Sequence, residues 1–151
     1  MKVQNSFSNG LLAIGGMEFH HIGIIAQDMD YACSHLSLLF GVRDWSQVIE
    51  DPEQGVKVVF GKSQNSLAPL YEIVSPLHDN SPVSNLLAVK KNIINHVAYL
   101  SDDFDGARGQ VRGLGCLPVT QPKPAAAFGG ARICFYLSPM GFVFEIIEKI
   151  N

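Results

Sequence analysis

Apolar and polar residues alternate with a period of two in two short stretches that resemble each other. In Phe19–Ile25 (FHHIGII), His21, Gly23 and Ile25 share one face of a strand; in Asn95–Leu100 (NHVAYL), His96, Ala98 and Leu100 do. Each stretch runs into an acidic turn, Gln27–Asp30 or Asp102–Asp105, with aspartates placed to cap a helix. Helical spacing follows. Ala32, Leu36, Leu39 and Phe40 form a core-facing stripe stopped by Gly41, and Ala107, Val111 and Leu114 form another stopped by Gly115. Strands are then predicted at Trp45–Val48, Val56–Phe60 and Leu70–Val74 in the first half, and at Leu117–Thr120, Arg132–Leu137 and Phe142–Ile147 in the second. Two copies of β-α-β-β-β about 75 residues apart define an internal repeat and an α+β fold class. Module one covers about 19–75 and module two about 93–149, together a single domain over 17–150. The linker, about 76–92, holds a short helix with Pro82 at its first position, continuing through Leu86, Leu87 and Val89. Residues 121–130 carry Pro122, Pro124, Gly129 and Gly130 and read as a flexible loop able to close over a site.

The repeat brings chemistry with it. Each half ends on a β-rich strand with one glutamate inside apolar residues, Glu72 in LYEIV and Glu145 in FVFEII. Glu72 follows His21 by 51 residues and Glu145 follows His96 by 49. A lone strand histidine is usually structural, but a buried carboxylate needs a partner, and both types recur in register. If the two modules form a cupped mixed sheet, His21, Glu72, His96 and Glu145 converge on one centre. Imidazole nitrogen and carboxylate oxygen suit a single divalent metal ion such as Zn, Ni, Co, Fe or Mn. His20 alternates to the opposite strand face, where a structural or surface role is expected, and His35 and His78 read as solvated. Lys62, Lys90, Lys91, Lys123 and Arg132 are scattered cations that either solvate a face or hold phosphates of a large substrate.

Composition narrows the partners. The chain has 151 residues, 47% of them hydrophobic and 17% charged, with a formal charge of −3. It is long enough to bury a core, and the absence of a basic cluster argues against nucleic acid. No apolar run approaches the roughly 20 residues of a membrane span. Cys33, Cys116 and Cys134 lack metal or disulfide spacing, so reduced thiols and a cytoplasmic location are expected. Residues 1–16 read either as an N-terminal extension or as a strand pairing elsewhere; their short Leu11–Ile14 run is weakly flanked for a signal peptide.

The strands HHIGII, NHVAYL and GFVFEIIE, the turn Pro52–Val56 and the segment YEIVSPLHDNSPVSNLL together resemble the vicinal oxygen chelate superfamily, nearest to methylmalonyl-CoA epimerase-like and glyoxalase I-like proteins. The resemblance spans Glu18 to Lys149. It implies paired βαβββ modules around a divalent metal held by His21, Glu72, His96 and Glu145, with Glu145 both ligand and base. It also implies a small-molecule substrate, either an acyl-CoA thioester or a glutathione hemithioacetal, and a homodimer. The implied activity is an isomerase or epimerase, or a lyase, acting on a proton next to a carbonyl. The second base of the epimerases matches Val58, flanked by Lys57 and Val59, which leaves Glu72 as the only second carboxylate. Leu137–Met140 likewise lacks the His-Pro-Lys character usual in epimerases. Two other classes in the superfamily are a metal-free antibiotic-binding protein, which usually lacks the ligand set, and an oxygen-activating enzyme, which generally uses two histidines and one glutamate.

Overall fold

The computed structural model describes residues 16–89 and 93–150; residues 1–15 of the expected extension, together with Lys90 and Lys91, lie outside them. The first half runs β1 (Glu18–Ile25), α1 (Met29–Phe40), β2 (Val42–Trp45), β3 (Ile49–Asp51), β4 (Val56–Ser63) and β5 (Leu70–Pro76). Helix α2 (Pro82–Val89) leads to β6 (Ile93–Ser101), α3 (Phe104–Gly113), β7 (Leu117–Pro118), β8 (Lys123–Pro124), β9 (Arg132–Leu137) and β10 (Val143–Glu148).

All ten strands belong to one mixed sheet ordered β2-β4-β5-β1-β6-β10-β9-β7, with β3 also on β4 and β8 also on β9. Both halves therefore have the same wiring. In each, the histidine strand lies parallel to the glutamate strand, and a broken strand (β2 with β3, or β7 with β8) closes the outer edge. The two halves join through the antiparallel pair β1–β6. The fold is thus the expected α+β pairing of two βαβββ modules.

Period-two alternation sorts the side chains onto the two faces of the sheet. Met29 and Leu36 of α1 pack on Val42, Val59 and Ile73. Phe104, Ala107 and Val111 of α3 pack on Cys134, Tyr136, Phe144 and Ile146. The opposite, concave face carries two smaller apolar clusters, one around Ile25, Val56, Val58 and Val74 and one around Ala98, Ala125, Ile133 and Ile147. Both helix starts are capped as expected: Asp28 accepts from the Tyr31 N–H and Asp103 from the Gly106 N–H. Gly41 ends α1 at φ 66°, a left-handed conformation that a Cβ disfavours.

Several expectations give way. The Trp45–Val48 strand is displaced: β2 ends at Trp45, and Ser46 breaks the strand by bonding its backbone N–H to the Phe60 carbonyl and its hydroxyl to the Phe60 N–H. Leu117–Thr120 shortens to two strand residues, because Val119 and Thr120 instead meet the single Phe135 backbone. On α1, Leu39 and Phe40 are exposed rather than core, since the stripe turns off the sheet at the last turn; Met29 takes the inward position instead. None of the helices among the described residues is long and apolar enough to cross a membrane.

The 121–130 loop is not free. Ala126–Phe128 forms one 3-10 turn. The buried Asp51 carboxylate accepts from the Ala126 N–H at 2.7 Å and the Gln54 N–H at 3.0 Å, and Gln54 Nε2 donates to the Pro124 carbonyl at 3.1 Å. The first half thus ties down the loop of the second through charge-assisted bonds. Asp51→Ala is expected to cost about 1–3 kcal/mol in chemical denaturation with unchanged secondary structure by circular dichroism. Wild-type stability in that variant would show that the tether does not hold the loop.

Candidate metal centre

Strand registry builds the site. Across β5, β1, β6 and β10, one row of concave-face positions reads Leu70, His21, Ala98, Glu145, and the next reads Glu72, Gly23, His96, Val143. Each row sets a histidine and a glutamate on either side of a small residue, Ala98 or Gly23. The gap above these small residues is where the four long side chains meet. His21, Glu72, His96 and Glu145 are all buried, at 0%, 5%, 4% and 2% exposure.

Their polar tips are close. His21 Nε2 lies 3.1 Å from Glu72 Oε2, 3.2 Å from His96 Nε2 and 3.5 Å from Glu145 Oε2. His96 Nε2 lies 3.4 Å from Glu72 Oε2 and 3.5 Å from Glu145 Oε2. His21, Glu72 and His96 make the tightest group, with ligand atoms all within 4.8 Å of one another. Glu145 Oε2 is buried and, among the described residues, makes no hydrogen bond, although both imidazoles face it. Donors about 2.0–2.2 Å from a common ion stand about 2.8–3.6 Å apart at bond angles of about 90–109°, so these separations fit a shared divalent cation. The orphaned carboxylate oxygen and the two facing Nε2 atoms, which repel unless one is protonated, fit it as well.

The two carboxylates differ in character. Burial pushes the Glu72 carboxyl up, but hydrogen bonds and positive potential from His21 and His96 outweigh it and hold the group at about 2. Burial drives the Glu145 carboxyl well above its ordinary value, and the charge on Glu72 adds to the effect. Without a cation, then, the cluster favours the ionised form of Glu72 and the protonated form of Glu145.

Two residues before the ligand positions matter, and one of them corrects the alternation argument. Register breaks between Phe19 and His21 on β1, and between Gly23 and Ile24 opposite Asn95 on β6. Each break is a β-bulge whose extra residue is the one just before the histidine. His20 therefore does not point away from the site: its Nδ1 lies 2.8 Å from His21 Nδ1. Asn95 Oδ1 lies 2.9 Å from His96 Nδ1 in the same way. Gly23 was missed as well. A Cβ there would collide with the His96 ring, so only glycine leaves the imidazole its place. The signal was present in sequence as a small residue two positions after each histidine, but its use depended on the pairing partner.

A cavity of about 370 Å³ opens beside the cluster, lined by His20, Asp44, Ser46, Phe60, Lys62, Leu70, Ala127 and Phe128. Phe128, on the tethered turn, stacks on His21 at 6.1 Å, and Phe60 meets it edge-on at 5.6 Å. Val58 is buried among apolar residues, so its place offers no base. Of the scattered cations, Lys62 lines the cavity, Lys123 is exposed on β8, and Arg132 is occupied by Glu148 and Asp105. His35 and His78 are exposed, as expected.

A cupped pair of βαβββ modules with two histidines and two glutamates on its concave face is the architecture of a vicinal oxygen chelate protein. The sequence pattern of the Glyoxalase/Bleomycin resistance protein/Dioxygenase superfamily matches residues 20–135, and the chain belongs to this superfamily. Among solved structures, methylmalonyl-CoA epimerase from Mycobacterium tuberculosis is similar over 96% of this chain and 95% of its own, with 20% identity and a TM-score of 0.75. Another methylmalonyl-CoA epimerase is 26% identical over 88% of this chain and 95% of its own, with a TM-score of 0.70. A third, in complex with methylmalonyl-CoA and NH4+, is 21% identical over 89% of this chain and 96% of its own, with a TM-score of 0.72. Among curated proteins, none matches the chain.

Two outcomes test the centre. A cation binds the ionised carboxylate, and Glu145 is shifted towards its protonated form, so uptake is expected to release protons and to weaken as pH falls. Calorimetry of Zn2+ binding in buffers of differing ionisation enthalpy measures this, and a buffer-independent heat would contradict it. Gly23→Ala is expected to displace the His96 ring and lower Zn2+ affinity at least about tenfold while the helices remain; unchanged affinity would mean that the ring is free to sit elsewhere.

Proposed function

We propose that the protein is a divalent-metal-dependent isomerase that moves a proton on a carbon next to a carbonyl, of the methylmalonyl-CoA epimerase-like class. The observation that carries this reading is the buried His21–Glu72–His96–Glu145 cluster, separated from a cavity by His20, Phe60 and Phe128, in a fold shared with epimerases. All four residues would hold the ion. A divalent ion bound there supplies positive charge beside the substrate carbonyl oxygen and so acidifies the adjacent C–H.

The chain's own residues carry the rest. Glu145, whose Oε2 has no hydrogen bond to hold it in place, is the base; once ionised, it accepts the substrate proton and returns it. Phe60, Leu70 and Phe128 give the cavity apolar walls, and a volume of about 370 Å³ suits the acyl portion of a thioester with the remainder outside. Lys62 lines the same cavity and is the cation placed to meet an anionic group of the substrate.

Val58 favours a second reading. With no carboxylate at that place, Glu72 is the one other carboxylate of the cluster, and it is held towards its ionised form, which disfavours delivery of a proton to the opposite face of the carbon. Transfer between adjacent carbons by a single carboxylate, as in a lactoylglutathione lyase, needs no second base.

Solvent deuterium separates the readings. Metal-loaded protein is expected to incorporate deuterium at the α-carbon of methylmalonyl-CoA, and incorporation instead into the hemithioacetal of glutathione and methylglyoxal would favour the lyase. Glu145→Gln keeps an oxygen for the ion but cannot accept a proton, so exchange is expected to fall by about 10²-fold or more at comparable metal content. Exchange that persists in that variant would remove Glu145 as the base, and exchange with neither compound would remove both substrate classes.

A further inference from the structure

The two ligand histidines are oriented by different partners, and the difference has a consequence for the cavity. Each imidazole is gripped at Nδ1 by the bulged residue before it: Asn95 Oδ1 at 2.9 Å from His96, and His20 Nδ1 at 2.8 Å from His21. An amide oxygen only accepts, so His96 must carry its proton on Nδ1, which leaves Nε2 free as a ligand. A neutral imidazole partner has to choose. If His21 is to ligate through Nε2, its proton also sits on Nδ1 and is donated to His20 Nδ1. His20 then accepts at Nδ1, and its own proton must be on Nε2.

Nε2 is the other polar atom of the His20 ring, and among the described residues it has no hydrogen-bond partner, while the residue itself lines the cavity. Phe60 and Phe128 meet the ring edge-on at 6.3 Å and 5.7 Å, which fixes its plane without supplying an acceptor. We infer that His20 is a positioning residue that sets the ligating tautomer of His21 and, as a result, presents an Nε2–H donor to a carboxylate or carbonyl oxygen of the ligand in the cavity. The inference rests on the metal-site reading above and deepens it: the second half of the fold uses Asn95 for the same grip, but Asn95 does not line the cavity.

The asymmetry supplies the controls. Zn2+ affinity of the full chain is measured by chelator competition for the wild type, His20→Ala, His20→Asn and Asn95→Ala, with the melting temperature of each metal-free variant as a check on folding. Both alanine variants are expected to lose about 10–100-fold in affinity. His20→Asn restores an accepting oxygen and is expected to recover most of that loss, a rescue that simple space-filling would not produce. Equal affinity of His20→Ala and wild type overturns the positioning role. Absence of Zn2+ binding by the wild type overturns the metal reading first, and this inference with it.

The donor is read separately. Long-range 1H–15N spectra of the Zn2+-loaded wild type are expected to show the His20 proton on Nε2, and a proton on Nδ1 overturns the tautomer assignment. Malonate, the carboxylate probe, is expected to bind the loaded wild type about tenfold more tightly than His20→Ala at saturating Zn2+. Equal binding to the two proteins, or none to either, overturns the donor role.

Discussion

Everything at the centre depends on one pairing, the antiparallel contact of β1 with β6. Its register sets His21 opposite Ala98 and Gly23 opposite His96, so each histidine faces the small residue that follows the other. The parallel neighbours β5 and β10 then add Glu72 beside Gly23 and Glu145 beside Ala98. A slip of one residue in β1–β6 would turn the histidines of one strand onto the helix-covered face, because side-chain direction alternates with every residue. The same pairing closes the gap between two half-sheets that each have an apolar face to bury, so the force that joins the modules also assembles the site.

Four buried polar side chains in an otherwise apolar cup are costly, and the structure shows how the cost is managed. The two imidazoles favour the ionised form of Glu72, while burial and then the charge of Glu72 favour the neutral form of Glu145. The shift of Glu145 works against a second buried negative charge beside the first. This is a poised arrangement, because a cation would satisfy Glu145 Oε2 and separate the two Nε2 atoms at once. The ion pairs of Arg132 with Glu148 and Asp105 contrast with it. They lie at the partly exposed edge of the second half and serve the packing of α3 against β9 and β10.

The surroundings of the cluster decide what chemistry it can reach. Val58 belongs to an apolar group with Ile25, Val56 and Val74, and no residue of β4 is a carboxylate that could replace it. The aromatic walls come from both halves, Phe60 from β4 and Phe128 from the turn tethered by Asp51. The cavity is therefore composite, and its shape depends on a hydrogen bond between residues 75 positions apart. Within a superfamily whose printed description spans glyoxalases, resistance proteins and dioxygenases, differences of this local kind separate one activity from another while the fold stays.

The repeat, the strand and helix character of most elements, and the identity of the four side chains that meet can be read along the chain. Those follow from local rules: period-two alternation, helix caps at Asp28 and Asp103, and glutamates among apolar strand residues. Tertiary structure alone decided that the four tips lie within 3.1–3.5 Å across five contacts, because that distance depends on which strand lies beside which and in what register. It also decided the side of His20. Strict alternation assigns that residue to the outer face, but a bulge inserts it without a partner and turns it inward, and a bulge is a property of two paired strands, invisible in either strand alone. The 121–130 loop shows the same division: its prolines and glycines mark it as irregular, yet whether it is free or tied depends on Asp51, contributed by the other half of the fold.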